Sequence, residues 1–249
     1  MRGAAFIAAA IAALLAPAAA EEELVSGLSQ DAIQITSTYT GTDLTVFGAV
    51  ARPPEGEAND IVVVVRGPDA VITVRRKDRI AGIWVNDARA KLDGMASYYF
   101  LAATRPLEEI SADTVLDRYQ LGLGTLEPER ARSDGPVTPY RNALVRRMGA
   151  HGMYTEDGEG VEMLSPTLFR VHVPLPAAAP RGQYNVSVYL FRGGTVVGAQ
   201  STPLFVDQTG FERRVFAFAH HRPFSYGLLS VLMALFVGWL AAVAFRKKY

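Results

Sequence analysis

Residues 224–245 contain no charged side chain. At about 1.5 Å per residue, such a run makes a helix of roughly 33 Å, long enough to cross the hydrocarbon core of a bilayer. That feature places one end of the chain in a membrane before anything else about the fold is decided. Pro223 stands just ahead of the run, at a first helical position where a missing N–H does no harm. Tyr226 and Trp239 lie toward its two ends, where interface-seeking aromatics are found. The chain closes on Arg246-Lys247-Lys248-Tyr249, and a basic flank of this kind stays cytoplasmic.

The opposite end reads differently. Arg2 supplies a positive start, residues 4–15 are uninterruptedly apolar, and Pro17 breaks the run. Ala18-Ala19-Ala20 then offers a small-residue cleavage site before Glu21-Glu22-Glu23. Twelve apolar residues are too few to span a bilayer and suit the core of a signal peptide over residues 1–20. Both ends therefore predict one topology: residues 21–210 outside the cytoplasm, a juxtamembrane segment 211–223, a membrane helix 224–245 and a four-residue tail 246–249 inside. The expected place is a bacterial inner membrane, crossed once, with the domain in the periplasm.

The chain has 25 basic and 25 acidic residues, which argues against nucleic acid as a partner, because phosphate binding needs a basic excess. It has no cysteine, so the external domain is neither a disulfide scaffold nor a thiol redox protein. Its stability must come from burial, which a domain of this length can supply.

Within the domain the dominant period is two. Ile33, Ile35 and Ser37 share one side of a strand, and Leu44, Val46 and Gly48 repeat the pattern, which predicts half-buried antiparallel strands on either side of Gly41. Residues 61–65 are continuously β-branched and predict a strand buried on both faces. Gly67-Pro68-Asp69 marks a turn, and residues 71–74, 83–85 and 98–102 are further strand candidates. The period then changes over residues 105–158. Ser111 is a suitable cap for a helix carrying Val115, Leu116 and Tyr119 that stops by Gly122. Thr138, Pro139 and Gly149 bracket a second helix with an apolar stripe of Tyr140, Leu144, Val145 and Met148. Alternation returns at 169–173 and 184–190, Gly193-Gly194 makes a hairpin turn into Val196, and residues 204–206 close the series. About eight short strands predict a mainly β fold, an immunoglobulin-like sandwich with a helical insertion.

No catalytic constellation stands out: there is no G-x-S-x-G, no H-E-x-x-H and no cysteine nucleophile, and a non-enzymatic role without a cofactor is expected. Gly122-x-Gly124 follows a helix and lacks the remainder of a phosphate loop. Met148, His151 and Met153 put thioether and imidazole donors close together in sequence, a set suited to copper(I); the competing reading is simply the end of a helix. Arg141, Arg146 and Arg147 offer an anion grip, against which the last two complement a helix C-terminus. His172 shares a strand face with Arg170 and is expected in solvent; His220-His221 fall just outside the membrane. The most specific pattern lies in the membrane run, where Ser230, Ala234, Gly238 and Ala242 recur every fourth residue. Small side chains so spaced let helices approach closely in lipid.

Several stretches carry a resemblance: GIWVN at 82–86, YFLAATRPLEEI at 99–110, LFRVHVPLP at 168–176, GQYNVSVYLFRGGTVV at 182–197, GFERRVFAFAHHRP at 210–223 and YGLLSVLMALFVGWLAAVAFR at 226–246. On these the chain resembles the uncharacterised alphaproteobacterial transmembrane protein family, nearly end to end. The resemblance implies no catalytic residues; it implies only an association with permeases of the sulfite-exporter type. The expected function is a membrane-anchored periplasmic accessory or sensor domain for an integral membrane partner, a transporter in particular, or self-association through the helix. The alternatives are a periplasmic solute- or metal-binding module and, last, an anchored enzyme.

Overall fold

A computed structural model describes residues 24–35, 40–80, 82–208 and 218–244. The expected signal peptide, the basic tail, Ser37 and most of the juxtamembrane segment lie outside the described residues.

The run of β-branched residues at 61–65 becomes β4 (Asn59–Arg66), hydrogen-bonded on one side to β12 (Gly182–Arg192) and on the other to β7 (Tyr99–Ala103). Branched side chains fit a pleated surface covered on both faces, and Ile61 to Val65 are all buried. Around β4 runs a six-stranded sheet ordered β2-β13-β12-β4-β7-β9, completed by β2 (Ala32–Ile35), β13 (Thr195–Gln208) and β9 (Tyr154–Asp157). A four-stranded sheet ordered β1-β3-β11-β10 comprises β1 (Leu24–Leu28), β3 (Gly41–Val50), β11 (Leu168–Pro176) and β10 (Val161–Ser165). The period of two decides which side chains enter the core: Leu44 and Val46 of β3, Phe169, Val171, Val173 and Leu175 of β11, and Tyr184, Val186, Val188 and Leu190 of β12 belong to one buried cluster. Each such side chain removed from water contributes about 1.5–3 kcal/mol.

The sheets are tied by polar contacts as well. The Tyr98 hydroxyl donates to the Pro174 carbonyl (2.6 Å), and the Gln200 side chain both accepts from Ser26 N (2.7 Å) and donates to Ser26 O (3.3 Å). Gly48 is required by close approach: a Cβ there would lie 2.5 Å from the Val25 carbonyl oxygen and 2.6 Å from the Phe169 ring. The Gly193-Gly194 turn has both φ angles positive, at 56° and 81°, matching the twist of the hairpin it closes.

A third sheet is built on a long hairpin, β5 (Asp69–Ile80) with β6 (Ile83–Ala96), edged by β8 (Arg130–Ser133). Between β7 and β10 lie α1 (Leu107–Ile110), α2 (Asp113–Tyr119) and α3 (Val137–Ala150). They are followed far along the chain by α4 (Pro223–Ala244). The mainly β fold with an interrupted helical region and one C-terminal apolar helix is thus as expected.

The local differences have physical causes. β2 pairs in parallel with β13 rather than antiparallel, because alternation reports which face is buried and not which neighbour is taken. Ser111 ends α1 instead of capping α2: its hydroxyl is used on the Gly194 carbonyl, 2.6 Å away, and Ala112 precedes α2. Helix α3 starts before Thr138 and runs through Gly149 to Ala150. Pro139 is tolerated there because the first four N–H groups of a helix have no intrahelical partner. The segment 105–158 is not purely helical, since β8 extends the hairpin sheet and β9 adds a parallel edge beside β7. The two strand candidates at 196–197 and 204–206 are one strand, β13.

Candidate functional site

Helix α4 is apolar over its whole described length, and residues Pro223 to Val243 are long and apolar enough to cross a membrane. Every described side chain from Pro223 to Val243 is exposed, so no described residue covers the helix. Ser230, Ala234, Gly238 and Ala242 stack along one face, four residues apart. The Ser230 hydroxyl donates to the Tyr226 carbonyl (2.9 Å), which satisfies that polar group inside the helix and leaves the face sterically low and apolar. A Cβ at Gly238 would meet nothing within 4 Å. Phe236 and Trp239, by contrast, stand as a tilted ring pair with centroids 6.2 Å apart. Association in lipid lacks a hydrophobic driving force, so packing over small side chains is the interaction such a face can offer.

The β domain holds two polar clusters that sequence reasoning missed, because their members are far apart in the chain. Asp60, buried in β4, accepts from Arg105 Nε and Nη2, each at 2.7 Å, and from the Thr104 hydroxyl at 3.2 Å. The Asp60 carboxylate, by hydrogen bond and charge, raises the Arg105 pKa further above its ordinary value. The second cluster surrounds Arg66 at the end of β4. Its guanidinium donates to Gln120 Oε1 (2.8 Å), the Gly94 carbonyl (3.1 Å) and Asp69 Oδ1 (3.2 Å). It thereby joins the base of the β5–β6 hairpin to the end of α2. Gln120 itself sits at φ 52°, a left-handed position that terminates α2. Beside it the Tyr99 hydroxyl donates to the Gln120 carbonyl and accepts from Gly122 N, both at 3.0 Å. Burial pushes the Tyr99 hydroxyl well above the usual phenol range. Tyr154, donating to the Ala96 carbonyl at 2.5 Å, is pushed up to about 12 for the same reason. Glu156 accepts from Leu123 N at 2.7 Å. These bonds run between elements of the fold and converge on no cavity.

The residues singled out from sequence are placed as follows. Met153 is buried, Met148 is partly buried against the core, and His151 is exposed as the residue closing α3. The His151 amide donates to the Arg147 carbonyl (3.3 Å) and the Met153 amide to Met148 O (2.9 Å), so the stretch forms a tight helix exit. Among the described residues no three His, Asp or Glu side chains gather as a metal site. Arg141 pairs with Glu127, while Arg146 and Arg147 are exposed. His172 is exposed on β11. Shallow hollows occur among the described residues. One, of about 420 Å³, is lined by Gln30, Ala32, Ile33, Gln34, Gly41 and Thr42. Another, of about 370 Å³, is lined by Arg181, Gly182, Gln183, Phe205, Val206 and Asp207. Neither brings together carboxylates or histidines.

Comparison with known proteins is consistent with this picture of an apolar helix attached to a β domain. No curated protein matches the chain. Among solved structures, the sporulation control protein Spo0M from Bacillus subtilis is similar over 80% of this chain and 54% of its own length, at 10% identity and a TM-score of 0.29. The chain thus spans about half of that protein, and a likeness this distant carries no argument about function. A sequence family model also matches, and it covers residues 23–247, domain and helix alike. The chain belongs to the family described as "Putative transmembrane protein (Alph_Pro_TM)".

Proposed function

We propose that this protein is a membrane-anchored accessory or sensor domain, held in the periplasm beside an integral membrane partner such as a transporter, with α4 as the element that meets the partner. The observation that carries the reading is the bare small-residue face of α4, opposed to a bulky remainder. No described residue packs on that face, so it is free to receive a second helix. The domain supports the same reading, since its buried charges and phenols are engaged in joining strands and helices.

Gly238→Ile tests it. The substitution fills the low face but keeps the segment apolar enough to insert. Val237→Ile, off the face, is the control. Close packing contributes on the order of 1 kcal/mol per good contact, so Gly238→Ile should lower crosslinked partner or dimer about fivefold at equal expression and membrane insertion. Equal crosslinking in both variants would show that α4 only anchors.

A further inference from the structure

The outer part of the β5–β6 hairpin lies beyond the buried core. The inner part of this hairpin belongs to the body: Leu92, Ala90 and Met95 are buried, and Ile72 and Val74 are partly so. Beyond the Arg75↔Arg89 pair, the strands continue to the Ile80↔Ile83 pair, roughly 17 Å further at about 3.3 Å per residue. None of the described side chains in that extension is buried. Its end carries Ile83 and Trp84, 68% and 67% exposed, with Val85 beside them. None of these three adjacent apolar side chains at the hairpin end belongs to the buried core.

The charges around the tip say what it meets. Residues 75–89 contain five basic and two acidic side chains in a chain that is neutral overall. Arg75, Lys77 and Arg79 are exposed along β5, and Arg79 lies directly opposite Trp84 in the ladder. An apolar tip with tryptophan, backed by a basic collar, matches the layered chemistry of an anionic bilayer surface: acyl chains first, then phosphate headgroups. Residues 209–222, which join β13 to α4, are 14 in number and include a helical turn at 218–221, so they tether the domain within less than about 50 Å of α4. We infer that the β5–β6 tip inserts Ile83, Trp84 and Val85 into the headgroup region of an anionic membrane while Arg75, Lys77 and Arg79 bind lipid phosphates. The domain is thereby fixed to the bilayer at a second point. This inference does not depend on the identity of any partner of α4.

The chain has two tryptophans, Trp84 and Trp239, so the full-length Trp239→Phe protein reports on the tip alone. It is reconstituted into phosphatidylcholine vesicles, with and without phosphatidylglycerol. In the anionic vesicles Trp84 emission should shift to the blue and be quenched by brominated lipid. Both effects should fade at about 1 M salt, where the screening length is about 3 Å. Each basic side chain near an anionic surface raises the docked population about fivefold, so Arg75→Gln, Lys77→Gln and Arg79→Gln together should weaken docking on the order of a hundredfold. Trp84 that remains as accessible to aqueous acrylamide in anionic as in neutral vesicles overturns the inference, whatever the variants do. Protection that follows protein density rather than lipid charge overturns it in favour of a second copy of the chain. Protection that appears only with membrane proteins added overturns it in favour of a protein partner.

Discussion

Arg66 holds three separate parts of the domain with one guanidinium, and nothing near it in sequence announces that role. Its three acceptors belong to α2, β6 and the start of β5. Hydrogen bonds to a charged group contribute about 1.5–3 kcal/mol each when buried, but the Arg66 side chain is 30% exposed, which lowers the yield. Arg66→Met should therefore cost about 2 kcal/mol in total, seen as a lower melting temperature of the full chain in detergent. Arg170→Met, which breaks a surface pair with Glu162, should change stability by less than about 0.5 kcal/mol. The buried phenols add a pH dependence. Folding raises the pKa of Tyr99, and that of Tyr154 to about 12, so above the unfolded value of about 10 the unfolded chain loses protons first. Stability should be flat up to about pH 9 and fall from about pH 10 upward, by up to about 1.4 kcal/mol per pH unit for each tyrosine. Tyr99→Phe should start from lower stability at neutral pH, having lost its bonds to Gln120 and Gly122, but show the shallower alkaline slope. Both curves are measurable by denaturant unfolding across pH.

At the scale of elements, periodicity identified most strands but misjudged how far they run. Residues 71–74 and 83–85 are the inner and outer portions of one hairpin whose tip leaves the core. Apolar residues signalled strand correctly, yet Ile83, Trp84 and Val85 are exposed, because a sequence pattern cannot tell a core from an outward surface that is equally apolar. This makes a direct prediction. Lys77 pairs with Asn86, so replacing residues 78–85 by an Asn-Gly turn should close the shortened hairpin without strain. The change should alter thermal stability in detergent by less than about 0.5 kcal/mol, since none of the described side chains deleted belongs to the buried core. A loss of several degrees in melting temperature would show that the tip is part of the core. The helices show the reverse case. The stripe of α3 was readable, with Tyr140 and Leu144 buried, whereas its ends were not: the turn chemistry of Thr138, Pro139 and Gly149 fits a boundary but does not enforce one.

For the whole molecule, the two termini decide the topology that the proposed function needs, and chemistry on the mature protein can test it. Amino-terminal sequencing of protein purified from membranes should begin at Glu21. A sequence beginning at Met1 would give a chain that enters the bilayer twice and would remove the basis for a periplasmic domain on a single anchor. The family match over residues 23–247 includes both the domain and α4.

What the sequence determined alone is what composition and short-range order control. A bilayer accepts a segment on length and lack of charge, so α4 was legible without coordinates. A strand's buried face follows from its alternation, so Val171, Val173, Val186 and Val188 were legible as well. Only the tertiary structure decided the rest. It paired β2 in parallel with β13, brought Arg105 to the buried Asp60 and hung three elements on Arg66. It also sent the tip of β6 outward. Each of these depends on contacts between residues tens of positions apart, whose partners are chosen by packing and by the need to pair buried polar groups. No local pattern encodes that choice, which is why the polar clusters and the exposed hairpin end became visible only once the strands were assembled.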